Sequence, residues 1–298
     1  MSDRTTGIAL NGGAGNVGAF AYNPALNICY YAIGSDVFQF DAATGQSSRL
    51  FTAPGAISSL ALTPDDGRLI VGLNDTQPLG DSTGPHTGTV LSVPLATVSD
   101  VSTFTTWHYN GAYGESGVYD LAVTSDNQVV MTTQYAGSGY VPTHIFSLST
   151  TSTIPAAAFP AQQAVTADTS LIVSNGGRYI FVEQGNDSGA PVDLYDLQTQ
   201  QVVAYNDMDS LGLGGYNAGF GDLTEATDLI VNVTSHSIAV LDFSLKLVEN
   251  LSPIQDGTIL DAKFSQDGKT LYLWQASTSS ILTYDLSLIH ISEPTRPY

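Results

Sequence analysis

Positive charge is what this 298-residue chain has least of: 8 Lys plus Arg stand against 28 Asp plus Glu, and only 12% of residues are charged. A net charge of −20 leaves no basic patch to neutralise phosphates, so no nucleic-acid partner is expected. Attraction to anionic membrane surfaces is disfavoured for the same reason. Cysteine is nearly absent too. Cys29 is the single one, which rules out an internal disulfide, and its place in the run ICYYAI reads as a small buried thiol. No apolar stretch reaches the roughly 18 residues of a membrane-crossing helix, so no membrane insertion is expected. The opening MSDRTTGIALNGG lacks the apolar core of a secretory signal. No segment sustains the roughly 3.6-residue period of a helix, so helices are expected to be nearly absent.

What is present argues for a folded all-β chain. Hydrophobic residues make up 43% of the sequence and Gly 29 positions, which excludes disorder and provides for a substantial core. The acidity is mostly Asp, because Glu occurs only at positions 115, 183, 225, 249 and 293. Asp, Asn, Gly, Ser and Thr are turn residues. Their richness, with just three Lys, is similar to that of secreted bacterial repeat proteins. An extracellular or cell-surface location, as part of a larger protein, is the corresponding expectation.

One pattern recurs six times. Its first half reads FAYNPALNICYYAIG (20–34), LALTPDDGRLIVG (60–72), LAVTSDNQVVMTT (121–133), LIVSNGGRYIFVE (171–183), GDLTEATDLIVNVT (221–234) and DAKFSQDGKTLYLW (261–274). Each copy has two β-rich runs around a cluster of turn residues, the signature of a hairpin. The fifth is the weakest, with Glu-Ala-Thr-Asp where others have a Gly, Asn or Asp turn. The second half recurs over 37–51, 90–104, 145–159, 194–205, 238–251 and 281–286. Four strands per repeat of roughly 40–60 residues make a β-propeller blade. Six four-stranded blades are visible, the last one cut short.

The TPDDGRLIV and SQDGKTLYL cores, followed by FQFDAATG and LYDLQT, resemble the YVTN-type and related WD-like bacterial β-propellers over about residues 17–285. That resemblance implies architecture rather than activity, because such propellers include binding modules, surface proteins and some hydrolase or oxidoreductase domains. The chain then divides into an N-terminal segment (1–16), the propeller (17–285) and a tail (286–298). Within the first, Thr5–Leu10 is a candidate closing strand. In the last, the run Leu286–Arg296, LSLIHISEPTR, resembles a translated sequencing adapter and is expected to be non-native. The preferred account is a fragment of a seven-bladed parent, and the alternative a six-bladed ring closed by the N-terminal strand.

Loop lengths are asymmetric. Turns after first and third strands are short, whereas connections after second strands and between blades include 74–88, 107–117, 135–143, 184–192 and 206–221. In a four-stranded blade these two sets leave on opposite faces, and long loops on a rigid scaffold carry binding function. The long set concentrates His86, Trp107, His108, Tyr109, Tyr113, Tyr135, Tyr140 and Tyr216, side chains that suit a protein or carbohydrate partner or, equally, packing between blades.

Asp75, Asp81, Asp187, Asp207 and Asp209 lie in the same loops and are candidate oxygen ligands for Ca²⁺, although Asp in turns without metal is far commoner and no nonapeptide calcium repeat occurs. No cofactor is otherwise implied. The five histidines show no metal-ligand spacing, which argues against zinc. Asp120 and Asp261 occupy equivalent places before a first strand, where they read as turn residues or as a carboxylate pair lining a central channel. No G-x-S-x-G elbow is present. The expected function is a non-enzymatic, monomeric ligand- or protein-binding scaffold. The alternative is a propeller enzyme, lactonase-like or quinoprotein-like, with a metal or cofactor over the channel.

Overall fold

The computed structural model describes residues 18–287 apart from 24, 76–84, 106–108, 111–114, 136–139, 142, 150–164, 167, 175, 186, 219–220, 252–258 and 276–279. The candidate closing strand at 5–10 and the tail from 288 onward lie outside the described residues. Among the described residues there is no helix. The protein is an all-β β-propeller of six successive antiparallel blades, each a meander in which neighbouring strands follow chain order.

The chain divides into two compact units, Met1–Gly137 with His144–Ala156, and Ser138–Thr143 with Ala157–Tyr298. Three blades belong to the first. Blade 1 is Ala19–Asn23, Ile28–Ile33, Asp36–Asp41 and Gln46–Thr52; blade 2 is Ile57–Leu62, Arg68–Leu73, Thr89–Pro94 and Ser102–Thr105. Blade 3 shows Glu115–Val123, Gln128–Tyr135 and His144–Ser147; the fourth strand expected within 145–159 falls mostly outside the described residues. The second unit holds the other three. Blade 4 is Ser170–Val173, Tyr179–Glu183, Pro191–Asp196 and Gln201–Asp207. Blade 5 is Asp222–Thr224, Leu229–Val233, Ile238–Asp242 and Leu247–Asn250, and blade 6 shows Ile259–Phe264, Thr270–Gln275 and Ser280–Asp285.

Turn chemistry explains why the repeats fold this way. The first hairpin of every blade contains one residue in the left-handed region: Asn27, Asp66, Asn127, Gly177, Asp228 and Gly268, with φ between 52° and 70°. Asn, Asp and Gly tolerate that conformation best. Asp228 therefore does in the fifth copy what Gly does in the fourth and sixth. A hydroxyl locks several of these turns: Thr63, Thr124, Ser174 and Ser265 each accept the amide of the residue that opens the next strand, Arg68, Gln128, Tyr179 and Thr270. At the end of the third strand, Asp41, Asp196, Asp242 and Asp285 each accept the amide two residues on. Leu286 takes the place of Leu95 and Leu197, bonding back to the hairpin turn, and its side chain is buried in blade 6.

The core lies between neighbouring blades. Leu60, Leu69 and Val71 of blade 2 pack against Tyr30, Ala32 and Val37 of blade 1, while Ile70 and Val90 meet Val118, Leu121 and Met131 of blade 3. In the second unit Phe181, Val192 and Leu194 meet Leu223, Ile230 and Leu241, and Val231 and Val240 meet Leu271 and Leu273. Each such fully buried aliphatic or aromatic side chain contributes about 1.5–3 kcal/mol. Middle strands must therefore be largely apolar on both faces, as in Leu229–Val233, buried throughout with Asn232 as its one polar residue.

Candidate functional site

In the first unit the long connections are built onto one another. Pro85–His86, in the loop after the second strand of blade 2, pairs with Tyr109–Asn110, in the connection to blade 3. That pairing places His86 beside Asp75. The Asp75 Oδ2 atom accepts from three groups: His86 Nδ1 at 2.7 Å, the Ser116 hydroxyl at 2.8 Å and the Thr87 amide at 3.1 Å. Both charged-type side chains of the pair are 2% exposed. One residue away, Glu115 Oε1 is 2.7 Å from His144 Nε2 and accepts the Thr133 hydroxyl at 2.9 Å. Asn74 accepts from Gln134 at 3.0 Å. Gly117 completes the junction, because a Cβ there would lie 2.2 Å from the Asp75 amide nitrogen and 2.7 Å from the Asn74 carbonyl carbon. Only glycine allows the two backbones to approach so closely.

This cluster contains Ser, His and Asp but is not wired as a hydrolase. A nucleophilic serine gives its proton to one imidazole nitrogen while the carboxylate holds the other. Here Ser116 donates to the carboxylate itself, and the nearer imidazole nitrogen, 3.4 Å away, is the one that Asp75 already engages. With Ser116 and His86 each 2% exposed, the arrangement fastens the loop to blade 3. His86 therefore acts from beneath the surface rather than on it.

The second unit repeats the principle. Tyr140–Val141 pairs with Val165–Thr166 ahead of blade 4, and Asn217 bridges to Thr234 of blade 5. Tyr140 and Tyr216 are exposed, at 66% and 53%. In blade 4 lies Asp193, 5% exposed, whose Oδ2 accepts from Gln184 Nε2 at 2.8 Å while Oδ1 has no hydrogen-bond partner. Burial, opposed by the Gln184 bond, pushes its carboxyl up to about 6. Its cross-strand neighbour is the exposed Tyr205. Burial raises the Tyr205 phenol, and the nearby charges of Asp193, Asp207 and Asp187 raise it further. Asp187 and Asp207 flank Gly189, each tied to a local turn: Asp187 accepts the Gly189 amide and Asp207 the Ser210 amide. Asp209 is exposed in the turn that follows.

Asp120 and Asp261 follow the same irregularity. The first strands of blades 2, 3 and 6 carry a bulge just before Ser59, Asp120 and Asp261. Asp120 accepts the Ser59 hydroxyl and its own neighbour's amide, both at 2.8 Å. Asp261 is exposed beside Lys263 at 3.7 Å. The two belong to different compact units, each with its own partners.

Among the described residues no group of three or more His, Cys, Asp and Glu side chains is placed to hold a metal ion. The described candidate ligands Asp75, Asp187 and Asp207 each accept local hydrogen bonds. Asp81, Trp107, His108 and Tyr113 lie outside the described residues, as do the side chains of Tyr109 and Tyr135. Sequence reasoning missed Glu115, Ser116, His144, Asp193 and Tyr205. Spacing rules look within a few residues, whereas Glu115 and His144 meet across 29 positions.

No family model matches the chain, and no curated protein sequence matches it. Its structure is similar to that of Kuenenia stuttgartiensis hydrazine synthase, with a TM-score of 0.67 at 12% identity, over 91% of this chain and 84% of that one. At that identity the likeness concerns the fold alone.

Proposed function

We propose that the chain is a non-enzymatic binding scaffold of the YVTN or WD-like kind, taking a protein or carbohydrate partner on its long connections. The observation that carries this reading is the construction of those connections. In each unit a loop after a second strand pairs with a connection between blades, at 85–86 with 109–110 and at 140–141 with 165–166. Buried polar groups pin them from below, and exposed Tyr140, Tyr205 and Tyr216 stand on the second unit's side. Rigid loops with amphipathic aromatics lose little entropy on binding.

The test is a glycan-array and protein-partner screen with the wild type, repeated with Tyr140→Ala/Tyr216→Ala and with Pro64→Ala/Gln266→Ala in the short turns. Binding lost only in the tyrosine pair supports the proposal. Binding lost only in the short-turn pair moves the site to the other loops and refutes it.

One observation favours the enzymatic alternative, the lactonase-like or quinoprotein-like reading: a carboxyl held near 6 suits a general base at neutral pH. Its burial and its place inside a sheet favour the scaffold. An Asp193-dependent hydrolytic or redox activity in a substrate panel decides for the enzyme.

A further inference from the structure

The 206–221 connection meets the turn after the second strand of blade 5 on two glycines. A Cβ on Gly214 would stand 1.8 Å from Asp209 Oδ1, and one on Gly215, at φ 125°, would stand 2.5 Å from His236 Nδ1 and 2.8 Å from Ser235 Oγ. Glycine here makes room for polar side chains rather than for core, since Asp209, Ser235 and His236 are all exposed. Tyr216, also exposed, is clasped to the same turn in both directions. Its amide donates to Ser235 Oγ at 3.2 Å, and its carbonyl accepts the Ser235 amide at 2.9 Å. The loop itself is tied down: Met208 and Leu213 are buried, the Gly215 amide donates to the Ser188 carbonyl, and Ser237 Oγ donates to the Leu213 carbonyl. All of these residues belong to the second unit. Their outward groups are unspent. Ser235 Oγ is 3.0 Å from His236 Nδ1, but Nε2 of that ring, the Tyr216 hydroxyl and the Asp209 carboxylate have no hydrogen-bond partner among the described residues.

We propose that Asp209, Tyr216, Ser235 and His236 form a subsite for an uncharged pyranose sugar, a proposal that rests on the binding-scaffold reading and narrows its partner to one class. What the cluster offers selects the ligand. A sugar ring presents a face of C–H bonds and a rim of hydroxyls, each both donor and acceptor. The Tyr216 ring suits the face, while the acceptor-only Asp209 and the mixed Tyr216, Ser235 and His236 groups suit the rim. A protein partner wants a desolvated apolar pocket for its anchor, and one tyrosine beside glycine backbone supplies none. Charge excludes acidic sugars: Asp187 and Asp207 adjoin Ser188 and Met208 of the same framework, and the whole chain stands at −20. The framework is fixed before the ligand arrives, so binding orders few groups. A single aromatic contact with a few exposed hydrogen bonds gives an affinity in the roughly millimolar range.

Saturation-transfer NMR and titration calorimetry of the full chain test this, with the methyl glycosides of glucose, galactose, mannose and N-acetylglucosamine and with methyl glucuronide as the acidic counterpart. The expected result is transfer to the ring C–H protons of at least one neutral glycoside and none to the glucuronide. Tyr216→Ala weakens that binding at least about tenfold. Asp209→Ala and His236→Ala each weaken it about threefold to tenfold. All three change exposed side chains, and circular dichroism shows them folded. No binding to any neutral glycoside overturns the proposal, as does binding that survives all three changes or a glucuronide bound as tightly as the neutral sugars. Sugar binding lost in Tyr140→Ala but kept in these variants overturns the subsite and leaves the scaffold reading standing. A protein partner released by Tyr216→Ala, with no sugar bound, does the same. Sugar binding lost only in Pro64→Ala/Gln266→Ala overturns both.

Discussion

Replacing Asp193 by Asn makes the protein more stable at neutral pH, and by an amount that depends on pH. In the folded chain burial raises this carboxyl to about 6, against 3.8 when exposed. The native state therefore holds the proton more tightly than the unfolded state, so stability falls as pH rises from about 4 to about 6 and is level above that. Two units at about 1.36 kcal/mol each put the full penalty on the order of 3 kcal/mol at pH 7. Asn keeps an acceptor for Gln184 Nε2 and carries no charge. Its amide nitrogen takes the position of the unpartnered Oδ1, which takes back about 1–2 kcal/mol as an unsatisfied donor. The net expectation is a gain of about 1–2 kcal/mol at pH 7, and at pH 4 a variant no more stable than the wild type. Urea unfolding of both proteins at pH 4, 5, 6 and 7, at matched slope, measures the difference directly. Other titrating carboxylates, including Asp222, which burial also raises, cancel in that difference. A difference that stays flat from pH 4 to pH 7 refutes the argument.

Three more outcomes follow from the same structure. Asp75→Ala leaves His86 and Ser116 buried without their shared acceptor and lowers stability by about 2–4 kcal/mol, with hydrogen exchange rising first at residues 85–87 and 115–117. Gly117→Ala forces apart two backbones that would stand 2.2 Å from the new methyl, so it destabilises by several kcal/mol, on the order of a badly overpacked core, in thermal unfolding. Leu245 is fully buried at φ 56°, so Leu245→Ala loses core packing worth about 2–4 kcal/mol and keeps the strain. Gln200 has the same backbone angle on the surface, and Gln200→Gly gains up to about 1 kcal/mol; urea midpoints of both variants check the contrast.

By itself the sequence determined the blades. A hairpin is specified within a handful of residues, by an Asn, Asp or Gly able to take a left-handed φ and a Ser or Thr that bonds across the turn, so each copy announced itself locally. Even Glu-Ala-Thr-Asp obeyed the rule through Asp228. The asymmetry of the loops was equally legible, because strand order decides at which end of a blade a connection leaves. Tertiary structure alone decided what the polar residues in those loops do. His86 suited a partner or packing between blades equally, and only the structure showed it as a buried fastening, because its partner Ser116 lies 30 positions away and meets it only once blades 2 and 3 have folded. Asp193 reads in sequence as one polar residue of a strand, and its carboxyl is raised only when the folded sheet buries it. Tyr272 and Trp274 belong to the same β-rich run as Leu271 and Leu273, and only the packing showed that the first pair is exposed and the second buried. Turn conformation is set by neighbours in sequence, whereas burial and pairing are set by neighbours in space.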